Sequence, residues 1–486
     1  MTMRVLQVSA EIYPLLKTGG LADVTGALPA ALKRQGCDVR LLLPGLPALR
    51  AGLAGLQPMN EFVAPWGERV RVLRGQWADH VAYLIDAPAL YQRPGGPYDD
   101  GHGHPHADNH RRFGLLGQVA GALGTGLDPQ WQPQIVHAHD WHAALAPACL
   151  HYERLRHGGR GAHSVYTVHN LAYQGVFPAA AFQDLGLPAH SFQMRGLEFH
   201  GRLSFMKAGL QFAERITTVS PSYAREVQTP EQGCGLDGLL RERAAVLSGI
   251  LNGVDPLVWN PAHDPQIAAP FDVKHLGAKA ANKAELQAEQ GLAPRTDALL
   301  FGVVSRLTEQ KGLHLLIDAL PQLLQRGGQL VVLGSGDAAF EQAFVQAAQL
   351  HPDAVALHRG YDEARSHRVF AGSDVTLVPS RFEPCGLTQL YGLAYGSLPL
   401  VHRVGGLADT VADCSLENLA DGSATGFVFE RFDGPDFAAA LRRAFALRAK
   451  TALWKQVQQA AMRRVFDWDA AAAQYLGVYR AAAHKH

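Results

Sequence analysis

Paired cysteines, an excess of charge of either sign and long apolar runs are all missing from this chain, and each absence removes a class of function. The five cysteines, Cys37, Cys149, Cys234, Cys385 and Cys414, are scattered, odd in number and nowhere spaced C-x-x-C. That argues against a disulfide framework or a zinc ribbon and for a reducing compartment. Lys plus Arg equals Asp plus Glu at 44 each, so bulk charge offers nothing to a nucleic-acid backbone. No apolar run approaches membrane-spanning length. The first residues pass almost directly into a strand, Arg4-Val5-Leu6-Gln7-Val8, without a signal-type apolar region. The expectation is a cytosolic protein with no nucleic-acid and no membrane partner. What is present is an ordinary globular composition, 47% hydrophobic and 18% charged, over 486 residues, long enough for two domains with separate cores.

A dinucleotide fingerprint is missing as well. A strand at 5–8, a loop at 9–20, a helix from Leu21 to about Gln35 and a strand at 37–43 open a doubly wound sheet. The loop nevertheless lacks G-x-G-x-x-G, and the second strand runs into Pro44-Gly45 instead of an acidic residue, which weakens a nicotinamide reading. Instead the loop carries Lys17-Thr18-Gly19-Gly20. Two glycines let the backbone approach a ligand, and Lys17 is either a cation beside a helix N-terminus or a solvated surface lysine.

Residues 60–86 read as antiparallel strands, 92–110 as a Gly/Pro/His-rich loop, and 113–123 as a helix. His102, His104, His106 and His110 in that loop have no neighbouring cysteine and read as solvated rather than metal-bound. Two strands then end on polar residues. The first closes on Val136-His137-Ala138-His139-Asp140-Trp141-His142, the second on Val168-His169-Asn170. Three histidines and an aspartate within six residues could ligate zinc in a hydrolase. But His137 and His139 share a strand face, His142 belongs to the next helix, and no second cluster completes a site, so a polar, sugar-facing strand end is preferred. His169 is either satisfied by backbone or lines a site at the ligand edge of the sheet. Ser220 or Ser222 can cap the helix after a further strand at 215–219.

Leu251-Asn252-Gly253-Val254-Asp255, followed by Pro256, Pro261, Pro265 and Pro270, marks a domain junction. A second strand–helix series starts at 299–304 and leads into Ser305-Arg306-Leu307-Thr308-Glu309-Gln310-Lys311-Gly312, where two cations could converge on a phosphate. Gly334-Ser335-Gly336-Asp337 is a nucleotide-type or simply a tight turn, and Tyr361 can stack on a base or pack locally. The strand at 375–378 and the helix containing Leu387, Leu390, Tyr391 and Leu393 flank Arg381-Phe382-Glu383-Pro384-Cys385-Gly386. The N–H groups of Gly386, Leu387 and Thr388 would favour an anion there, and Glu383 either faces that ligand or complements the helix dipole. GGLAD occurs twice, at 19–23 and 405–409, each copy placed before a helix, and a shared architecture of the two halves would explain it.

Taken together, KTGGLADV at 17–24, VHAHDWHA at 136–143, TVHNLAYQG at 167–175, SRLTEQKG at 305–312 and SRFEPCGLTQLYGLAYG at 380–396 resemble the bacterial glycogen synthases, retaining glucosyltransferases related to plant starch synthases. The resemblance runs from Val5 to the C-terminal helix. It implies an α/β chain of two Rossmann-like, doubly wound domains facing across a cleft, the GT-B architecture. Those domains would be 1–250 and 251–465, with a helix at 466–486 returning to the first. It also implies ADP-glucose as donor, glycogen or an α-1,4-glucan as acceptor, and no cofactor or metal. By the same resemblance, Arg306 and Lys311 hold the diphosphate with the helix N-terminus at Gly386, Leu387 and Thr388. Glu383 grips the sugar hydroxyls beside Cys385, and Lys17 and Gly20 close on the donor. Asp140, His169 and Asn170 line the glucose pocket, and Tyr361 stacks on adenine. Many retaining relatives carry a second glutamate eight residues after the first, where this chain has Tyr391. That fits the glycogen-synthase branch and weakens any scheme needing two carboxylates.

Overall fold

Short runs of Val, Leu and Ile bounded by glycine and proline alternate with stretches of helical period, and in the computed structural model they fold as a repeating strand–helix series. The structure describes residues 2–484. They divide into two units: one holds the chain up to Gly253 together with the last helix from Trp468, and the other is Val254–Asp467.

In the first unit the strands are β1 (Arg4–Val8), β2 (Asp38–Pro44), β3 (Ala54–Val63), β4 (Arg69–Trp77), β5 (His80–Asp86), β6 (Ile135–His139), β7 (His163–Val168), β8 (Val176–Pro178), β9 (Glu198–Phe199), β10 (Arg202–Ser204), β11 (Arg215–Thr218) and β12 (Leu247–Gly249). Among the described residues they build a nine-stranded sheet, β12-β11-β7-β6-β1-β2-β5-β4-β3, and a small one, β8-β10-β9. Neighbours from β12 to β5 run parallel, and β4 and β3 add on antiparallel. Strand order reverses between β1 and β6, and the pairing of Val8 with Ala138 brings the carboxyl ends of these strands side by side. The loop after β1 and the residues after β6 therefore emerge together at a topological switch point.

Two expectations need correcting here. The antiparallel strands begin at Ala54, and the helix expected from Phe113 is Asn109–Gly124, so His110 sits in its first turn rather than in the loop. That earlier start is fixed by the buried Arg112, which donates to the carbonyls of Leu90 (2.9 Å) and Pro97 (2.8 Å) and to Asn109 Oδ1 (2.7 Å). The last helix, Trp468–Ala483, buries Trp468, Ala471, Ala472, Tyr475, Leu476, Tyr479 and Ala482, a stripe of three- and four-residue steps. The stripe packs on Val5, Val24, Leu28, Ile135 and Val165.

The second unit carries β13 (Leu300–Val304), β14 (Gln329–Gly334), β15 (Val355–Arg359), β16 (Val375–Val378), β17 (Leu398–His402) and β18 (Phe427–Phe429). They are parallel throughout, in the order β15-β14-β13-β16-β17-β18. Counted from the first strand of the unit this is 3-2-1-4-5-6, the dinucleotide-fold order, with its switch point between β13 and β16. Phe301, Leu330, Leu377 and Leu400 from the sheet pack with Leu316, Leu320, Phe437 and Leu441 from its helices in one core.

Candidate active site

At the switch point of the second unit, two loops are tied together by their backbones. Arg381 N–H donates to Gln310 C=O (2.9 Å), and Gln310 Nε2 donates to Phe382 C=O (3.2 Å). Gly312, at φ +65°, makes this approach possible, since a Cβ there would lie 2.0 Å from Pro379 O. Across the joined loops Lys311 Nζ donates to Glu383 Oε2 at 2.6 Å, and Ser380 Oγ donates to the same oxygen at 2.8 Å. The pair is largely buried, with side-chain exposures of 17% and 9%. Burying a carboxylate without a partner would be costly, and here Lys311 is the partner. Glu383 is thus more than a partner for the helix dipole. Arg306 lies exposed on the β13 loop, five residues before Lys311.

The neighbouring features sort into site and scaffold. The helix after Glu383 runs Thr388–Ala394 and starts without a side-chain cap, and Cys385 is buried just before it. The second GGLAD copy is the first turn of the helix Gly405–Thr410 rather than a lead into it. A Cβ on Gly405 would lie 2.0 Å from Glu383 O, and one on Gly406 would lie 2.1 Å from Cys385 O, so both glycines let that turn pack against the Glu383 loop. The first copy likewise enters its helix, Gly20–Arg34, but a Cβ on Gly19 would meet nothing within 4 Å. The Gly334 turn is structural, because a Cβ there would strike Ser305 O at 1.9 Å. Tyr361 is 63% exposed after a left-handed Gly360.

In the first unit the switch point gathers Lys17, Asp140, His169 and Asn170. Asp140 takes φ +58°, a costly conformation for a non-glycine residue. Its Oδ1 accepts the backbone N–H groups of His169 (3.3 Å) and Asn170 (3.4 Å). Burial raises its pKa to about 7, against the lowering effect of those two N–H groups. His169 and Asn170 are half-buried, and burial drives the His169 pKa down to about 3, which keeps its imidazole neutral. Gly20 is exposed at the start of its helix. Lys17 is not a freely solvated lysine: its Nζ donates to Asp23 Oδ1 at 2.9 Å with both side chains 18% exposed.

Three features of this unit depart from the sequence reading or were not visible in it. His137 and His139 do not face a sugar, because both are wholly buried. His137 hydrogen-bonds Tyr479 Oη (2.8 Å) and Thr167 Oγ1 (2.6 Å), and the partners on both sides hold it inside the unit. His142 stacks on Tyr98 at 4.3 Å. Among the described residues no group of three or more His, Cys, Asp or Glu is placed to hold a metal ion. Glu11 was missed: it is 2% exposed and accepts both the backbone N–H and the hydroxyl of Thr18 at 2.6 Å, fixing the Lys17 loop. A lone acid in an otherwise apolar loop just after β1 was the available signal.

Comparison with known proteins bears on both units. A model of the starch synthase catalytic domain matches residues 4–242, and one of group 1 glycosyl transferases matches 285–461. The glycogen synthases of Variovorax paradoxus and Leptothrix cholodnii are 60% and 59% identical, over 99% and 98% of this chain and 99% of each of theirs. The catalytic domain of starch synthase IV from Arabidopsis thaliana, solved with ADP and acarbose bound, superposes with a TM-score of 0.90 at 32% identity over the whole of both chains. Sucrose-phosphate synthase from Thermosynechococcus elongatus shares the fold at TM-score 0.59 and 17% identity, covering 99% of this chain and 98% of its own.

Proposed function

Since the chain belongs to the glycogen synthase family and is a retaining glycosyltransferase of two Rossmann-like units, we propose that ADP-glucose is its donor and the non-reducing 4-hydroxyl of glycogen or another α-1,4-glucan its acceptor. The observation that carries the site assignment is the Lys311–Glu383 pair with Ser380 at the switch point of the second unit. Arg306 and Lys311 meet the diphosphate, with the uncapped helix start at Gly386, Leu387 and Thr388 adding backbone dipoles. Glu383, held by Lys311 and Ser380, turns its carboxylate to the sugar hydroxyls, and Tyr361 takes the adenine. In the first unit Lys17 and Gly20 contribute to donor binding, and Asp140, His169 and Asn170 to glucose binding.

The chemistry follows from charge. As the bond between the anomeric carbon and the diphosphate oxygen breaks, negative charge grows on the leaving ADP, and fixed cations and N–H dipoles lower that barrier. The acceptor's 4-hydroxyl attacks the same face and gives its proton to the departing phosphate. A double displacement would need a free carboxylate below the anomeric carbon. Glu383 is engaged by a cation and a hydroxyl instead. Trapping a glucosyl ester on Glu383 would overturn the same-face route. Two cationic side chains at the diphosphate leave no task for a metal, and turnover is expected to survive a chelator. The five cysteines are all free, in keeping with a cytosolic location. Among the described residues no helix is long and apolar enough to cross a membrane.

The test is a donor panel with glycogen, following nucleotide release and polymer labelling. ADP-glucose should label the polymer with one ADP released per glucose added. Binding of glycogen with no ADP release would contradict the proposal.

A further inference from the structure

Behind His169 stands a second imidazole to which the roles above assign nothing. His139 ends β6, wholly buried, with its Nδ1 3.0 Å from His169 Nε2. Its own Nε2 is buried without a hydrogen-bond partner among the described residues. The adjacent ring, His137, lies 4.1 Å away between centroids and has both nitrogens engaged, by Tyr479 and Thr167.

Among the described residues the His139 ring therefore has one hydrogen-bond partner, and only one of the two facing nitrogens can carry a proton. Suppose His169 donates through Nε2. The single proton of His139 then sits on its own Nε2, as a buried N–H with no acceptor. Orphaned buried N–H groups are rare in native proteins, and a donor stripped of water and left unpaired carries the full desolvation penalty. The opposite arrangement leaves only a lone pair facing the interior. In it His139 Nδ1–H donates, His169 Nε2 accepts, and the one proton of His169 resides on Nδ1. Burial lowers the pKa of both rings, so each stays neutral, with one proton, at ordinary pH.

We infer that His139 is a positioning residue that locks His169 in its Nδ1-protonated tautomer, so that His169 offers an N–H donor rather than a lone pair to a sugar hydroxyl oxygen. The functional half of this rests on the reading of His169 as a glucose-binding group. The tautomer half does not. A ring free to exchange tautomers would present the wrong group part of the time. It could also rotate away from the hydroxyl as charge develops on the sugar, when the contact matters most.

The test combines spectroscopy and kinetics on the full-length protein with ADP-glucose and glycogen. With 15N-labelled histidine, and the His169 signals assigned by their loss in His169→Ala, the wild type should show His169 protonated at Nδ1. Finding the proton on Nε2 overturns the inference, whatever the kinetics of the variants. His139→Leu, with folding checked by thermal melting, should give mixed His169 tautomers and lower kcat about tenfold, the effect of one neutral hydrogen bond, with KM for ADP-glucose nearly unchanged. His139→Asn, whose amide N–H falls near the place of Nδ1, should recover most of that loss. Equal losses in the Asn and Leu variants would reduce His139 to packing and overturn the positioning role. Full turnover in His169→Ala would instead overturn the glucose-binding reading and leave the tautomer result standing.

Discussion

At the scale of single residues, the candidate site is defined by charges held in place before a ligand arrives. Glu383 is buried with Lys311 and Ser380 both donating to one of its oxygens. If Lys311 holds the leaving diphosphate as proposed, Lys311→Ala should lower turnover by about 10²- to 10³-fold, the usual effect of losing one fixed donor at a developing charge. A steady-state assay beside a thermal melt checks this, and near-wild-type turnover would remove Lys311 from the diphosphate. Asp140 gives a pH signature. Its folded pKa, raised to about 7, exceeds that of an ordinary aspartate, so the native state holds a proton the unfolded chain has released. The associated stability is complete below the unfolded pKa and is lost as pH rises to the folded one, at about 1.4 kcal/mol per pH unit across that window. Denaturant melts at pH 5 and pH 8 should show the wild type losing roughly 2–3 kcal/mol that Asp140→Asn does not lose. Residue types were readable in the sequence, because motif spacing exposes Asp140, Lys311 and Glu383. Their partners were not: the bond from Lys311 to Glu383 closes over 72 residues, and no local pattern announces it.

Among the elements, the candidate site residues lie on loops that follow strands, and helix starts set the positions of those loops. Gly312 and Gly405 both take left-handed φ values, and both lie where a Cβ would strike a carbonyl oxygen of the Glu383 loop or its strand, at 2.0 Å in each case. Gly405→Ala should therefore push the Glu383 loop away from Lys311, lowering both the melting temperature and kcat. Gly19→Ala, in the other copy of the same five-residue motif, should leave the melting temperature unchanged because its Cβ meets nothing within 4 Å. Differential scanning calorimetry of the two variants checks the contrast, and equal destabilisation would refute it. Strands and long helices were legible from apolar period. The start at Asn109 was not, since it depends on the carbonyls that Arg112 reaches from residues 90 and 97. Nor was the burial of His137 and His139. A histidine at a strand end looks polar in sequence, and His137 is covered by the helix Trp468–Ala483, contributed from the far end of the chain.

For the molecule as a whole, each unit is a doubly wound sheet whose order reverses beside its first strand, and each puts its distinctive residues at that reversal. Alternating strands and helices suffice to read the fold class from sequence. Strand order cannot be read that way, because pairing is set by which apolar faces meet once the chain has folded. The loops after β13 and β16 are proposed to form the diphosphate site, and the structure of this protein with ADP bound is the decisive measurement. Phosphate oxygens are expected within hydrogen-bonding distance of both the Arg306 guanidinium and Lys311 Nζ, with Glu383 beside them. An ADP whose phosphates touch neither cation would refute that site.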